Sequence, residues 1–414
     1  MKKIAVIGTG TAGIQSLCHF LGFSDFEVTS IYNPAIPILG IGESTNPSFL
    51  EVLGIGMDFD YSRDLEELDA TVKTGTKFIK WRDHDFLNPL IYNLSMSINV
   101  PTPWGFGLTR HVAIHFNNFK LKELAFKRLG PKWGNRFKRV EGNITGVYDN
   151  EDNVVIVVDG VEHEFDYAID CRGFPTDFTD YHVIDQAPVN HAFCHSVKEY
   201  ERFDYTGHRA TQDGWMFEIP LSSRLTYGYL FNDKITDPKT AKENFSKEIG
   251  VPLDQMDNTE YSFKSYYSKK VIGNRVAKNG NRAVFFEPMS ANSIWSYDFV
   301  NRIFFDYAVR GNISKEVANE AFVNNSKAIE EIIYFYYHGG STYDTAFWRN
   351  AVAYTKPYVL SCDNFTRTLA EFQKLKPELE ANPQLLQELN KPNWIFGPQN
   401  LRLIDQNFRY NYFQ

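Results

Sequence analysis

Lys2-Lys3-Ile4-Ala5-Val6-Ile7-Gly8-Thr9-Gly10-Thr11-Ala12-Gly13 stands near the start of the sequence and joins an apolar run to three closely spaced glycines. Residues 2–7 are a short apolar run rich in β-branched side chains, and residues 14–21 read as the helix that follows. Between them Gly8 permits a tight turn, Gly10 lets the backbone approach a pyrophosphate, and Gly13 lets helix pack closely on strand. Thr11 and Ala12 begin the helix, whose free N–H groups and positive dipole end suit a phosphate. The expectation is a Rossmann-type α/β unit carrying a dinucleotide. Residues 26–32 read as its second parallel strand. An acidic residue commonly closes that strand and holds the adenosine ribose. Here Tyr32 or Asn33 stands in its place, able to hydrogen-bond a hydroxyl but uncharged.

The composition bounds what such a unit can be part of. At 414 residues and 43% hydrophobic content the chain can bury a sizeable core in two or three layers. Its 34 Phe and 23 Tyr suit a site for a flat ring as well as ordinary core packing. A net charge of −8 argues against nucleic acid as a partner. No apolar stretch approaches the roughly 20 residues that cross a bilayer, and residues 1–10 read as a strand rather than a signal peptide. Four scattered cysteines, at 18, 171, 194 and 362, offer no disulfide framework, so the expected location is cytoplasmic.

Further along, residues 36–47 form a Gly/Pro-punctuated loop leading into a helix through 48–53. Residues 74–81 read as a strand and 120–129 as a helix. Asp159-Gly160 marks a hairpin between 153–158 and 161–167. It feeds an apolar strand ending at Asp170-Cys171-Arg172-Gly173, the kind of late strand that returns to the first sheet of a glutathione-reductase-type flavoprotein. Residues 215–220, 225–231 and 261–268 read as strands of a second, antiparallel sheet, and 283–286 as another buried strand. A long helical stretch is expected over 296–337, with amphipathic helices at 364–374 and 383–390.

Four stretches, in order along the chain, resemble the flavin-dependent halogenases of the tryptophan-halogenase type. Gly40-Ile41-Gly42-Glu43-Ser44-Thr45-Asn46-Pro47 is similar to that family's Gly-x-Gly-Glu-Ala-Thr-x-Pro loop. The stretch from Ala70 to Trp81 resembles the strand bearing its essential lysine, at Lys73. Gly214-Trp215-Met216-Phe217-Glu218-Ile219-Pro220 looks like its Trp-x-Trp-x-Ile-Pro motif with Phe217 for the second Trp. Phe286-Glu287-Pro288-Met289-Ser290-Ala291-Asn292-Ser293-Ile294 resembles its Phe-x-Glu-Pro-Leu-Glu-Ser-x-Gly segment in altered form. Weaker echoes occur at Asp170 and Gly173, and from Tyr337 to Trp348.

The resemblance implies FAD, used as FADH2, on Gly8, Gly10, Thr11, Ala12, Gly13, Tyr32, Gly40, Ile41, Gly42, Glu43, Ser44, Asp170, Gly173, Phe286, Pro288 and Ile294. It implies that halide (chloride, bromide or iodide) is oxidised at the flavin to hypohalous acid, with backbone amides at Asn292 and Ser293 forming the halide pocket. Lys73 would receive the oxidant and present electrophilic halogen to an electron-rich aromatic substrate of phenol or indole type. Spacing alone leaves Lys77 open as a competitor, since a two-residue period puts it on the face of Lys73 and Lys80 on the other. Trp215, Phe217 and Pro220 would wall the flavin from the substrate, a role compatible with their being a plain buried strand. The family's second carboxylate is Ser290 here, and a hydroxyl has no useful basicity near neutral pH. Glu287 has a counterpart in the family, where it looks structural. Without the second carboxylate, bromide or iodide is expected to serve as well as chloride.

No second glycine-rich strand–turn–helix unit appears downstream, which points to a separate flavin reductase as the source of FADH2. An FAD monooxygenase that hydroxylates its substrate, and a flavin-binding scaffold without catalysis, stay open as alternatives. Histidine pairs at 111/115 and 191/195 are spaced for metal ligation only on a helix, so no metal is expected. The basic residues between 127 and 139 read as a solvated face. The expected divisions are a FAD module over 1–180 with an insertion at 82–140, a substrate-side antiparallel sheet over 181–282, a return to the FAD module over 283–355, and a helical tail over 356–414. That tail's amphipathic pattern fits an intrachain core and homo-oligomer contact equally well. The segments at 82–114 and at the C-terminus are shorter than in typical tryptophan halogenases, which implies a more open site and a substrate other than free tryptophan.

Overall fold

A computed structural model of the chain describes residues 1–38, 43–90, 112–382 and 398–413. The first strand, Lys3–Ile7, is central in a five-stranded all-parallel sheet. The order across that sheet is Val276–Lys278, Tyr167–Asp170, Lys3–Ile7, Glu27–Tyr32 and Phe137–Glu141. Strand side chains alternate between faces, and here both faces are covered. Ile4 and Val6 enter the main core with the helix Thr11–Phe23, which packs against the helix Asn292–Phe305. Ala5, Ile7, Ile31 and Ala168 pack on Val154, Ile156 and Phe165 of an antiparallel meander formed by Ile144–Asp149, Val154–Val158 and Val161–Phe165. Two-sided burial accounts for the near-continuous apolar run of the first strand.

The second sheet has seven strands, in the order Thr259–Ser262, His191–Val197, Leu225–Phe231, Gly214–Pro220, Tyr205–Thr211, Gly75–Ile79 and Phe86–Pro89. Its pairings are antiparallel except that Gly75–Ile79 runs parallel to Tyr205–Thr211. A small antiparallel sheet of Glu43–Ser44, Ala113–Phe116 and Thr71–Lys73 shares residues with the site below. The C-terminal part is helical, with Lys315–Tyr337, Ala346–Ser361, Asp363–Ala381 and Pro398–Phe408. Among the described residues no helix is long and apolar enough to cross a membrane.

Several expectations are corrected by packing. The strand expected over 261–268 is two, Thr259–Ser262 and Ser265–Ser268, which pair in different sheets. The helix expected over 296–337 is broken after Arg310 by Gly311 at φ +62, before Ser314 caps Lys315–Tyr337. The division at 355/356 falls inside the helix Ala346–Ser361, and Gly75–Ile79, assigned to the FAD module, belongs to the second sheet. Lys73 and Lys77 do not share a strand face, because the chain leaves one sheet at Thr74 and joins another at Gly75. The helix at 383–390 lies outside the described residues.

Candidate active site

The glycine turn does what its spacing implies. Gly8 adopts φ +102, and a Cβ there would meet the Cys171 carbonyl oxygen at 2.9 Å. A Cβ on Gly13 would stand 2.1 Å from the Gly8 carbonyl oxygen, so the helix reaches the strand only with glycine. At Gly10 a Cβ would meet nothing within 4 Å: the turn faces open space. Gly10 caps the helix without any side-chain hydrogen bond, leaving its first-turn N–H groups to a ligand. A cavity of about 500 Å³ opens there, lined by Gly8, Gly10, Thr11, Ala12, Tyr32, Asn33, Arg172 and Gly173 among others. These residues fit the diphosphate of a dinucleotide.

Tyr32 reaches this cavity, but its hydroxyl donates to Glu141 at the end of the neighbouring parallel strand. A carboxylate one strand over thus engages the Tyr32 hydroxyl without itself lining the cavity, a partner that sequence reasoning missed. Asp170 is buried and engaged. It accepts two side-chain hydrogen bonds from Arg172, both at 2.9 Å, and lies 3.5 Å from Arg282. It orients Arg172 at the cavity wall and does not itself line the cavity.

A second cavity, of about 480 Å³, adjoins the first through the shared residues Glu43, Phe174, Asn281 and Tyr297. Its lining is largely apolar: Phe217 and Ile219 from the second sheet face Pro288, Ala291, Ser293 and Ile294. Such a flat apolar slot beside a dinucleotide cradle suits the ring system of a flavin. Glu43 sits at the junction, accepting from the Thr11 hydroxyl at 2.7 Å, and burial pushes its carboxyl up to about 7. Gly40, Ile41 and Gly42 lie outside the described residues.

Of the expected wall residues, Phe217 lines this cavity while Trp215 and Pro220 do not. Trp215 is fully buried and donates its indole N–H to Glu287 at 3.1 Å; Tyr337 donates to the same oxygen at 2.6 Å. Burial pushes Glu287 up to about 8. Pro220 acts through its carbonyl, which accepts from Thr71 at 2.6 Å and clamps the strand of Lys73. Phe286 is buried against Tyr267 and lines neither cavity.

The altered segment makes an unusual turn. Ser290 and Ala291 both adopt left-handed backbone, at φ +57 and +55, a conformation that costs side-chain-bearing residues about 1 kcal/mol or more each. The helix Asn292–Phe305 then begins with Ala291 as an uncapped N-cap. Asn292 turns its amide inward onto the carbonyls of Glu287 and Met289, at 3.0 and 2.7 Å, so any anion there meets backbone N–H groups rather than this side chain. The Ser290 hydroxyl points to the Tyr336 hydroxyl at 3.3 Å.

Lys73 is 2% exposed. Its ammonium donates to the Thr45 carbonyl at 2.9 Å, and burial pushes its pKa down to about 7. Lys77 instead lies over the Tyr205 ring, and Lys80 pairs with Glu248 at 2.9 Å. The residue before Thr45 is Ser44, which lines the second cavity, so a single backbone step separates that cavity from the carbonyl that Lys73 bonds. Ser44 and His115 both bond Thr206, at 2.9 and 2.8 Å, and His115 also bonds Thr71 at 3.0 Å. His115 therefore braces the small sheet, while His111 lies outside the described residues. His191 and His195 sit on a strand with Glu260 and Asp257 as partners, and no cluster of three metal-ligating side chains occurs among the described residues. The basic stretch is tied within the chain: Arg128 to Asp64, Lys132 to Asp58, and Arg136 to the carbonyl of Phe26.

The tryptophan halogenase family model matches residues 3–128 and 109–388. The chain belongs to the tryptophan halogenase family. It is a flavin-dependent halogenase by kinship, distant from individual members. It is 22% identical to tryptophan 6-halogenase ThaL of Streptomyces albogriseolus, over 84% of this chain and 78% of that one. Tryptophan 7-halogenase RebH of Lentzea aerocolonigenes is 21% identical, over 71% and 68%. The fold is shared with BrvH, a flavin-dependent halogenase from Brevundimonas sp. BAL3, at a TM-score of 0.76 and 18% identity, covering 99% of this chain and 90% of that one. A tryptophan halogenase from Shewanella frigidimarina gives a TM-score of 0.75, with 99% and 89% covered. In this halogenase the lysine expected from the motif is buried, and the residues near it that the motifs did not announce are His115 and His208.

Proposed function

We propose that the chain halogenates an electron-rich aromatic ring, of phenol or indole type, by way of Lys73. Bound as FADH2 and supplied by a separate reductase, the cofactor would furnish the oxidising power that turns halide and O2 into hypohalous acid. Gly8 and Gly10 would cradle its diphosphate beside Arg172, Tyr32 would stand at the adenosine ribose, Gly13 lets the helix close on the strand, and the slot between Phe217 and Ile294 would take the flavin ring. The uncapped helix start at Asn292 and Ser293 attracts the halide by its N–H groups. Phe217 and Ile219 keep the aromatic substrate from the flavin, and Lys73 holds the oxidant beside the carbon to be attacked.

One observation carries this reading: an amine with no exposed surface to speak of, separated from the flavin-side cavity by the single step from Ser44 to Thr45. A surface lysine would serve no relay, and burial also keeps part of the amine neutral near pH 7. Purified protein given reductase, FAD, O2, a halide and phenol or indole should yield ring-halogenated product, with bromide or iodide at least as effective as chloride. Lys73→Ala should stop that product while NAD(P)H-linked flavin oxidation continues. A hydroxylated product formed without halide would assign the chain to ring hydroxylation instead.

A further inference from the structure

We propose that His208 is the base of this site: it takes the proton released from the ring carbon on halogenation and returns it to Lys73. This rests on the halogenase reading above and supplies what the Ser290 hydroxyl cannot.

His208 shares a face of Tyr205–Thr211 with Thr206, the residue that bonds both Ser44 and His115. Its ring lies 4.7 Å from Trp215 and 5.3 Å, edge-on, from Phe78. Phe78 in turn stacks on Tyr336 at 5.0 Å, and Tyr336 is the partner of Ser290. A row of contacts therefore runs from residue 290, where the carboxylate is missing, to His208. Both histidines near Lys73 are buried, but they differ in engagement. His115 has both ring nitrogens bonded, to Thr71 and Thr206, whereas Nδ1 of His208 is buried without any hydrogen-bond partner. Leaving a ring nitrogen unpaired in the interior costs free energy. The Glu287 carboxyl is held by Trp215 and Tyr337 and does not act on Lys73. Burial, then the Lys73 charge, push the His208 ring down to about 3, so it stands neutral and able to accept.

The proton count closes through these two side chains. Transfer of halogen from hypohalous acid forms the C–X bond and breaks the O–X bond. The departing oxygen keeps the O–X electron pair, takes one proton from the Lys73 ammonium and leaves as water, so Lys73 is left neutral. The ring carbon now bears both hydrogen and halogen. Its C–H pair returns to the ring as the proton passes to His208, whose basicity has risen with the loss of the neighbouring charge. The imidazolium then passes that proton to the Lys73 amine, the stronger base. Hypohalous acid and arene have become haloarene and water, and both side chains are restored.

The test uses phenol and indole, each beside its ring-deuterated form, with reductase, FAD, bromide and O2. For the wild type the halogenated-product rate should be the same for both isotopologues. For His208→Gln, which keeps an acceptor but cannot carry the proton, the rate should fall about 100-fold. The deuterated substrate should then turn over distinctly more slowly, because C–H cleavage has become limiting. Hypobromous acid captured by a dimedone trap should not fall. His208→Asn serves as a second variant, and bound FAD with a wild-type melting transition qualifies either one. A folded variant at full rate, or one slowed without an isotope effect, overturns the role of His208. Absence of halogenated product from the wild type with every halide overturns the halogenase reading itself, a different result.

Discussion

Lys73 shows how far one residue's surroundings decide its chemistry. Its pKa is lower folded than unfolded, so the unfolded chain binds more protons between about pH 7 and the ordinary lysine range. Stability attributable to this residue therefore rises with pH across that window, and the full cost of burying the charge is present below it. Lys73→Met should be more stable than the wild type by on the order of 4 kcal/mol at pH 6, a gap that narrows towards pH 10 in urea titrations. The same variant should lose at least about a thousandfold in halogenated product, since positioning of the oxidant is lost. Trp215→Phe removes the indole N–H that Glu287 accepts. It should cost about 1–3 kcal/mol in denaturant melts, because a buried polar group loses a partner. The motif made Lys73 legible in the sequence. Glu141 was not, because its partner Tyr32 is 109 residues away and only strand pairing brings them together. His208 was hidden for a related reason: nothing in an alternating strand marks which inward residue will meet a lysine from another sheet.

At the level of elements, the glycine turn separates two uses of the same residue type. Gly13→Ala puts a methyl 2.1 Å from backbone that cannot yield, so the helix must leave the strand, and both folding stability and FAD binding should fail. Gly10→Ala fits an ordinary φ of −68 and meets no protein atom. It should keep the melting temperature within a few degrees and yet weaken FAD about tenfold or more, read by fluorescence titration, because the methyl enters the cradle. Equal effects of the two substitutions would contradict a cradle at Gly10. Periodicity identified the first strand, the hairpin and the Leu225–Phe231 strand with their bounds nearly as found. It could not show that the chain changes sheets at Thr74 and again at residues 263–264, since a single extended run looks the same whichever partners it pairs with.

Over the whole molecule, burial raises the pKa of several carboxyls: Glu287 to about 8, Glu43 and Glu331 to about 7, and Asp298, Glu330 and Asp405 in the same direction. The folded chain binds more protons at these positions than the unfolded chain does, so their contribution to stability falls as pH rises from about 4.5 to 8. Lys73 works in the opposite sense but higher in pH. Buried histidines held below their ordinary pKa, His19, His208 and His338 among them, also work in the opposite sense as pH rises through about 6.5. The Glu287 share is therefore read by difference: in scanning calorimetry Glu287→Gln should gain melting temperature relative to the wild type as pH rises from 5.5 to 8. Glu331 has a further duty, accepting from Phe365 N–H at 2.7 Å and so capping Asp363–Ala381 from another helix.

Consecutive residues 44 and 45 belong to one backbone segment, the first lining the second cavity and the carbonyl of the second accepting from the amine. Whatever presses on the first must tilt the second. Loading the protein with FAD should thus alter how quickly acetic anhydride acylates Lys73, measured peptide by peptide in a mass spectrometer, and identical labelling rates with and without FAD would show the two sides to be mechanically independent.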